Sequence, residues 1–562
     1  MRRPSPQAVD LVVLGSGAGG MSAALTGALL GLEVALLEKA ALVGGTTALS
    51  AGSVWIPNSP HAPPGSDSLE QARRYLRATV GDRLRPALCE AFLAAGPSVV
   101  RFLEERSAVR LRAYPHHPDY CADAEGATLA GRVLEPLPFD GRRLGQRLAL
   151  LRPPMPEFTL FGGMMVDRGD VGHLLNATRS LASARHALGL ALRYGVDRLR
   201  HPRGTRLVMG NALVGRLLYS LLRERVALCT GAAVSGLIER EGRIAGVSLA
   251  GAEDLLARRG VVLATGGFSR HPELRRRLLP APVPEHSALI ETVTGDGVTL
   301  GLAAGGRLGE HHAQASFWAP VSTRRRRDGS CAVFPHFVLD RGKPGLIAVD
   351  SSGRRFVNEA LPYHRFGQAI YAAQAVRPAI PCFFVCDHCF LLAHGLGMVR
   401  PRGLGVRRAI ADGYLTRAES IAGLAGALGL DADALQATVR RNNAFAERGV
   451  DDDFGKGGDA YQRNLGDPGH GPNPCLGPIA RPPFYAIRVY PGDIGASVGL
   501  VTDEHARVLR ADDRPVAGLY ACGNDMDSLM AGVYPAPGIT LGPALTFGHL
   551  AARHAARESD PG

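Results

Sequence analysis

The chain has no apolar run of membrane-spanning length, and the polar start Met1-Arg-Arg-Pro-Ser-Pro lacks the hydrophobic core of a secretion signal. An integral membrane protein is therefore not expected. A cytoplasmic one is, with peripheral contact to a membrane left open. Cysteine is sparse: nine residues in 562, without framework-like spacing. That excludes a disulfide scaffold and points to a reducing compartment. In Cys382-Phe-Phe-Val-Cys386-Asp-His388-Cys389 the first two thiols flank a strand-like apolar run, and no second ligand pair follows, so no metal is expected. No internal repeat or low-complexity tract occurs. The formal charge of +12 comes mainly from scattered arginine, and the one dense cluster, Arg324–Arg327, has no nucleic-acid module beside it. It reads as a solvated loop, and no nucleic-acid partner is expected.

What the chain has is glycine, 70 residues of it, against an average share of about 7%. Apolar content is ordinary, so the glycine fits close backbone approach to a ligand rather than disorder. The run Leu11-Val-Val-Leu-Gly15-Ser-Gly17-Ala-Gly-Gly20 places a short buried strand ahead of three spaced glycines. Gly15 makes the tight turn, Gly17 lets the backbone approach a pyrophosphate, and Gly20 lets the helix Met21–Leu30 pack on the strand. The pyrophosphate then sits on the helix N-terminus, where free N–H groups and the dipole favour anions. A second strand, Glu33–Leu37, leads to Glu38 at the offset of a ribose-binding carboxylate.

At this length the chain suits two domains. Helical patterns are expected at Leu69–Val80, Arg85–Glu104 (interrupted or kinked at Gly96-Pro97), His173–Leu190, Gly210–Glu224, Thr416–Leu428 and Asp431–Arg448. Composition changes from about Gly306 to Arg481, and Rossmann-type motifs resume at Gly518. The expected fold is α/β: a discontinuous Rossmann-like FAD-binding domain (1–305 and 482–562) with an inserted α+β catalytic domain (306–481).

The choice of FAD comes from resemblance. Gly44-Gly45-Thr46-Thr47-Ala48-Leu-Ser50-Ala51-Gly52 resembles the flavoprotein loop along the pyrophosphate and isoalloxazine. Thr265-Gly266-Gly267 and Gly523-Asn524 resemble two later flavoprotein turns. With Gly353-Arg-Arg-Phe-Val-Asn-Glu359, Asp451-Asp-Asp-Phe-Gly, Pro483-Phe-Tyr-Ala and Tyr534-Pro-x-x-Gly538, the chain resembles the fumarate reductase/succinate dehydrogenase flavoprotein superfamily over nearly its whole length. Within it the chain is similar to the 3-ketosteroid dehydrogenases, the Δ1 type above all. The resemblance implies further cofactor contacts at Ala233, Asp296, Gly538, Thr540 and Leu541. Gly45 stands where covalent-flavin members carry histidine, so the FAD is expected to be non-covalent.

By the same resemblance the activity is an FAD-dependent oxidation of a CH–CH group beside a ketone. The substrate is a small apolar ketone (steroid), and the electron acceptor is not specified. Tyr363 stands where fumarate reductases carry their acid arginine, and it implies a base at carbon 2 of a 3-ketosteroid. The Tyr534 hydroxyl and the Gly538 N–H polarise the carbonyl, which is oxyanion-hole logic. Tyr120 is the expected partner of Tyr363, with Tyr114 as fallback, and His364 is expected to orient its neighbours rather than act as base. The alternatives are the Δ4-(5α) steroid enzyme and a fumarate-reductase-like enzyme of another unsaturated ketone or acid. One departure from the family is Pro-Ala536-Pro537 before Gly538, where relatives usually carry a further glycine at 536.

Overall fold

The computed structural model describes residues 8–251 and 253–558. The Gly-rich unit folds as strand Ala8–Leu14, helix Ala18–Leu29 and strand Val34–Glu38. Its strands are sealed on both faces, as their near-continuous apolar runs require. Five strands run parallel in the order Ala227–Thr230, Val34–Glu38, Ala8–Leu14, Leu255–Leu263, Pro515–Ala521. In chain order that is 3-2-1-4-5, so the order reverses between Ala8–Leu14 and Leu255–Leu263. A ligand crevice belongs at the carboxyl ends of those two strands. Antiparallel strands Val234–Arg240, Arg243–Leu249 and Arg507–Leu509 complete the sheet.

The far end of the chain covers the first helix. A Cβ on Gly548, in helix Leu541–Arg557, would lie 2.4 Å from the Gly19 carbonyl oxygen. The two backbones therefore nearly touch. The Ser22 hydroxyl donates to Leu545 O at 2.7 Å, and Thr26 meets His549 Nδ1 at 3.1 Å.

A second, mixed sheet has the order Cys331–Pro335, Ser316–Arg325, Phe484–Ala496, Cys382–Cys386, Leu346–Val349. Phe484–Ala496, 13 residues long, is its spine and also pairs with His286–Ser287 and Thr416–Ala418. Since this spine lies beyond 481, we propose that the inserted domain ends after Ala496, with its amino-terminal boundary near 306.

Several expected elements differ in detail. Thr416–Leu428 is not one helix: Thr416–Ala418 is a strand, and Ser420 caps a helix that begins at Ile421 by accepting from Gly423 N. The expected helix His173–Leu190 is divided, Arg168–Leu175 and Leu181–Arg198, because Ser180 caps a new start. Pro97 does not interrupt its helix, which runs Pro86–Arg106. That helix is also long and apolar enough, by length and composition, to cross a membrane, which the sequence reading overlooked because Glu90 and Arg101 break the apolar run. It buries Leu88, Phe92, Leu93, Val99, Val100 and Leu103 in the core, and Phe102 packs edge-on to His549 at 4.8 Å. The cluster Arg324–Arg327 is not a plain solvated loop: Arg324 and Arg325 end a strand, Arg324 pairs with Asp412 at 2.6 Å and Arg326 with Glu157 at 2.7 Å.

Two outcomes are expected. Gly548→Val forces the crossed helices apart and destabilises by about 1–3 kcal/mol, as overpacking does; thermal unfolding reads it, and an unchanged midpoint contradicts the close crossing. Burial holds His117, His364, His394 and His549 each down to about 4. A histidine of lower folded than unfolded pKa leaves stability whole above about 6.5 and erodes it as pH falls toward 4. The unfolding midpoint of the holoprotein should drop between pH 7 and 5, and a flat profile contradicts this.

Candidate active site and cofactor cradle

At the carboxyl ends of the first sheet the three glycines have distinct jobs. Gly15 has φ +98° and its virtual Cβ would lie 2.2 Å from Ala264 O, while that of Gly20 would lie 1.9 Å from Gly15 O. Neither position tolerates a side chain. Gly17, the N-cap, faces open space, with Thr47 Oγ1 at 3.7 Å the only atom near its virtual Cβ. Thr47 Oγ1 also accepts from Ala18 N at 3.1 Å. Glu38 closes the turn from the side by accepting from Ser16 N at 3.0 Å, Ser16 Oγ at 2.6 Å and Ala40 N at 2.9 Å.

The remaining expected contacts gather around this turn. Gly45–Leu49 is a short 3-10 helix, and Ser50 Oγ donates to Thr47 O at 2.8 Å and accepts from Gly52 N at 3.0 Å, with Ala51 exposed between them. Ala233 follows the strand beside Glu38, whose carbonyl accepts from Ala232 N at 3.0 Å. Asp296 opens a helix and pairs with Lys39 at 2.7 Å. Gly523 (φ +64°) has nothing within 4 Å of its virtual Cβ, and the virtual Cβ of Gly267 would lie 2.8 Å from Asn524 O. Thr540 and Leu541 form the start of the last helix. Sequence reading missed Asp525: its buried carboxylate accepts from Gly267 N at 2.7 Å and Thr265 Oγ1 at 3.0 Å, and shapes the Thr-Gly-Gly turn. Burial pushes that carboxyl up to about 6.

Some features fit a bound dinucleotide. The Thr46 hydroxyl is buried with no hydrogen-bond partner among the described residues. Gly17 and Gly523 leave backbone open toward the same crevice, and a helix N-terminus faces it.

Beyond this cradle, three distant segments bring their phenols together. Tyr363 is the first residue of helix Tyr363–Gln374, and Tyr120 and Tyr534 come from loops. Ring centroids are 5.5 Å apart for Tyr120–Tyr363, 5.2 Å for Tyr363–Tyr534 and 5.9 Å for Tyr120–Tyr534. Tyr120 N and Tyr75 Oη both donate to Pro535 O, at 2.8 and 2.6 Å, which fixes the two loops to each other. Asp119, beside Tyr120, is fully buried and accepts from Trp55 Nε1 at 3.1 Å and Arg132 Nη1 at 2.8 Å. Tyr120, not Tyr114, stands against Tyr363; Tyr114 stacks edge-on with His117 at 5.4 Å instead. Gly538 has φ +88°, and its carbonyl accepts from Trp55 N at 3.1 Å. Its own N–H has no acceptor among the described residues. Ala536 is buried and Pro537 precedes that N–H without removing it.

Behind Tyr363 the Arg-Phe-Val-Asn-Glu string is scaffold. Glu359 takes Arg355 at 2.9 Å and Lys456 at 3.2 Å, and Arg355 also reaches Asp451 at 2.9 Å, all buried. His364 accepts from Trp318 N at Nδ1 (3.0 Å) and donates from Nε2 to Gly532 O (3.0 Å). Both nitrogens are occupied, so it orients and does not act as base. Burial and the neighbouring phenols push Tyr363 well above the usual phenol range. Sequence reading also missed Tyr461, whose ring lies 4.7 Å from Tyr120, and the walls Phe317 and Phe337, 5.1 Å from Tyr534 and 4.8 Å from Tyr363. No motif marks them; they read as ordinary core aromatics.

The family model for the FAD binding domain matches residues 10–541. The chain belongs to this FAD-binding family. The flavoprotein is 35% identical to 3-oxosteroid 1-dehydrogenase of Mycobacterium tuberculosis, over 98% of this chain and 99% of that one. It is also 35% identical to 4-oxocyclohex-2-ene-1-carboxylate 5-dehydrogenase of Sinomonas cyclohexanicum, over 98% and 94%. The solved 3-ketosteroid Δ1-dehydrogenase from Sterolibacterium denitrificans in complex with 1,4-androstadiene-3,17-dione superposes with a TM-score of 0.90 at 35% identity, covering 98% of this chain and 100% of that one. The flavoprotein is thus an FAD-dependent oxidoreductase of the 3-ketosteroid dehydrogenase type.

If the orphan Thr46 hydroxyl meets FAD, Thr46→Ala weakens FAD binding about three- to tenfold, the worth of one hydrogen bond, and leaves apoprotein unfolding unchanged. Flavin release on dilution, followed by fluorescence, reads the first; unaltered retention contradicts the assignment.

Proposed function

We propose that this flavoprotein introduces a double bond between carbons 1 and 2 of a 3-ketosteroid. The observation that carries the reading is the convergence of Tyr363, Tyr534 and Tyr120 around a Gly538 N–H that has no acceptor among the described residues. A proton on carbon 2 is too weakly acidic to leave unless the developing enolate oxygen is stabilised. The Tyr534 hydroxyl and the Gly538 N–H supply two donors for it. Tyr363 takes the proton from carbon 2, with Tyr120 as its partner. The apolar walls Phe317 and Phe337 exclude water and match a fused-ring ketone. The Gly15–Gly20 turn, Glu38, Gly45–Thr47 and Gly523–Asn524 would hold FAD non-covalently, and when bound it would supply the two-electron acceptor for the hydride from carbon 1. Because burial favours the neutral phenol, the base gains strength as pH rises, and the rate rises with it.

The relative that acts on a cyclohexene carboxylate is as similar as the steroid enzyme, so substrate class needs a direct assay. Anaerobic 4-androstene-3,17-dione should bleach the flavin absorbance, and a 4-oxocyclohexane carboxylate should not. Tyr363→Phe should slow the bleaching by about 10²–10⁴-fold, the range of general-base catalysis, while steroid still perturbs the flavin spectrum. Product analysis with a 5α-saturated 3-ketone separates this activity from the Δ4 one. Absence of bleaching with every 3-ketosteroid overturns the reading.

A further inference from the structure

The hydroxyl of Tyr461 is sealed from solvent and, among the described residues, makes no hydrogen bond of ordinary geometry, although Arg341 and Tyr120 both stand close enough to act on it; its side chain is wholly buried. Buried phenols ordinarily tie that hydroxyl to a neighbour. Here the ring lies against Tyr120 at 4.7 Å, closer than either catalytic tyrosine does to Tyr120 (5.5 and 5.9 Å).

A second buried group stands by it. Arg341 has no exposure, and among the described residues no carboxylate pairs with its guanidinium. It donates instead to backbone carbonyls: His336 O, Phe337 O and Glu359 O, each at 2.8 Å, and Leu361 O. Two of these carbonyls belong to the strap leading into Tyr363, and a third belongs to Phe337, whose ring packs on Tyr363. The one carboxylate beside it in sequence, Asp340, is turned to His336 Nδ1 at 2.6 Å and to Gly397 N at 3.0 Å. A cation kept in the interior without a counter-charge favours an anion nearby.

We propose that Tyr461, beside Arg341, is the resting place of the negative charge of the tyrosine cluster, and that Tyr120 connects it to Tyr363. The proposal rests on the dehydrogenase reading and supplies what it lacks, namely where the charge of the ionised base is held. In its reactive form, whose share grows as pH rises, the set Tyr363–Tyr120–Tyr461 carries one phenolate, on Tyr461. As the C–H bond at carbon 2 breaks, its proton goes to the Tyr363 oxygen. The Tyr363 proton passes to Tyr120, and that of Tyr120 to Tyr461. The set is then neutral, and one proton is lost to water before the next cycle.

The surrounding charges agree with this direction. Burial raises Tyr363 and Tyr120 well above the usual phenol range, whereas Tyr461 is pushed up only to about 12, since Arg341 pulls it down. Asp459 opposes a charge on Tyr461. Tyr534 adjoins Tyr363 and has its own pKa raised by burial. His117, 6.4 Å from Tyr120, and His364, 6.0 Å from Tyr534, are both held near 4 and so are neutral. Arg365 acts on the Cys121 thiol and is not among the main influences on the three phenols. Arg341 is the cation that reaches both Tyr120 and Tyr461.

Tyr461 and Arg341 act through Tyr120, so the test needs a readout that a packing role would not move. Tyr461→Phe keeps the ring and removes only the hydroxyl. The pH dependence of anaerobic flavin reduction by saturating 4-androstene-3,17-dione should shift toward alkali by one pH unit or more, with the rate at pH 7 lowered at least tenfold and steroid affinity changed less than threefold. Arg341→Lys, which retains the charge, should stay closer to the parent profile than Arg341→Met. Ultraviolet difference titration of the steroid-free holoprotein, with the readily ionised surface phenol Tyr219 removed as Tyr219→Phe, gives a second readout that needs no turnover: the first buried tyrosinate to form in the parent should be missing in Tyr461→Phe. A parent protein that no 3-ketosteroid reduces overturns the dehydrogenase reading, and the ultraviolet titration then decides the charge placement alone. An unshifted pH profile in Tyr461→Phe, or an unchanged first buried tyrosinate, overturns the proposal.

Discussion

The carbonyl oxygen of Pro535 holds the candidate site together. It accepts from Tyr120 N and from the Tyr75 hydroxyl, and so ties a loop near residue 120 to one more than four hundred positions later. The remaining geometry follows from that tie. With the two loops fixed, Tyr120 and Tyr534 stack at 5.9 Å, and Tyr363 closes the group from the head of its helix. The loop around Tyr120 is itself held by Asp119, Arg132 and Asp67 in a buried ion-paired set. Removing one member of such a set typically costs about 3–5 kcal/mol, because a charge is left uncompensated. These ties fix the position of the Tyr120 loop, and positioning is what the chemistry requires.

Scaffold and chemistry are separated along one short string. Arg355 and Glu359 belong to a buried network with Asp451 and Lys456, and four residues later Tyr363 faces the site. Acidic and basic groups on that side neutralise each other and leave the ketone's surroundings phenolic and apolar. An anionic substrate finds little there to hold it. A neutral ketone finds two hydrogen-bond donors and aromatic walls.

The nucleotide half of the molecule was legible because its constraints are local. Gly15 and Gly20 each meet backbone within 2.2 Å of a virtual Cβ, and such positions leave a fixed spacing in the sequence. Tyr363, Tyr534 and Gly538 were legible only as family motifs, since no periodicity brings residues 120, 363 and 534 together. Tyr120 was singled out from a loose loop, and the contact with Tyr363 distinguishes it from Tyr114. Tyr461 and Arg341 left no trace: a buried tyrosine in a short helix and an arginine in a turn look like core and surface. Element errors have the same origin. Ser180 and Ser420 act as caps inside stretches whose apolar spacing continues across them, so periodicity merged what capping divides. Pro97 was the opposite case, a breaker overridden by burial of one helix face on either side of it in sequence.

The central claim is that the Tyr534 hydroxyl and the Gly538 N–H grip a ketone oxygen. The carbonyl stretching frequency of an isotopically labelled 3-ketosteroid, measured by difference infrared spectroscopy when bound to the holoprotein, tests it directly. The account predicts a band below its position in water, moving back upward in Tyr534→Phe. A band at the frequency of an apolar solvent, insensitive to that substitution, would contradict it.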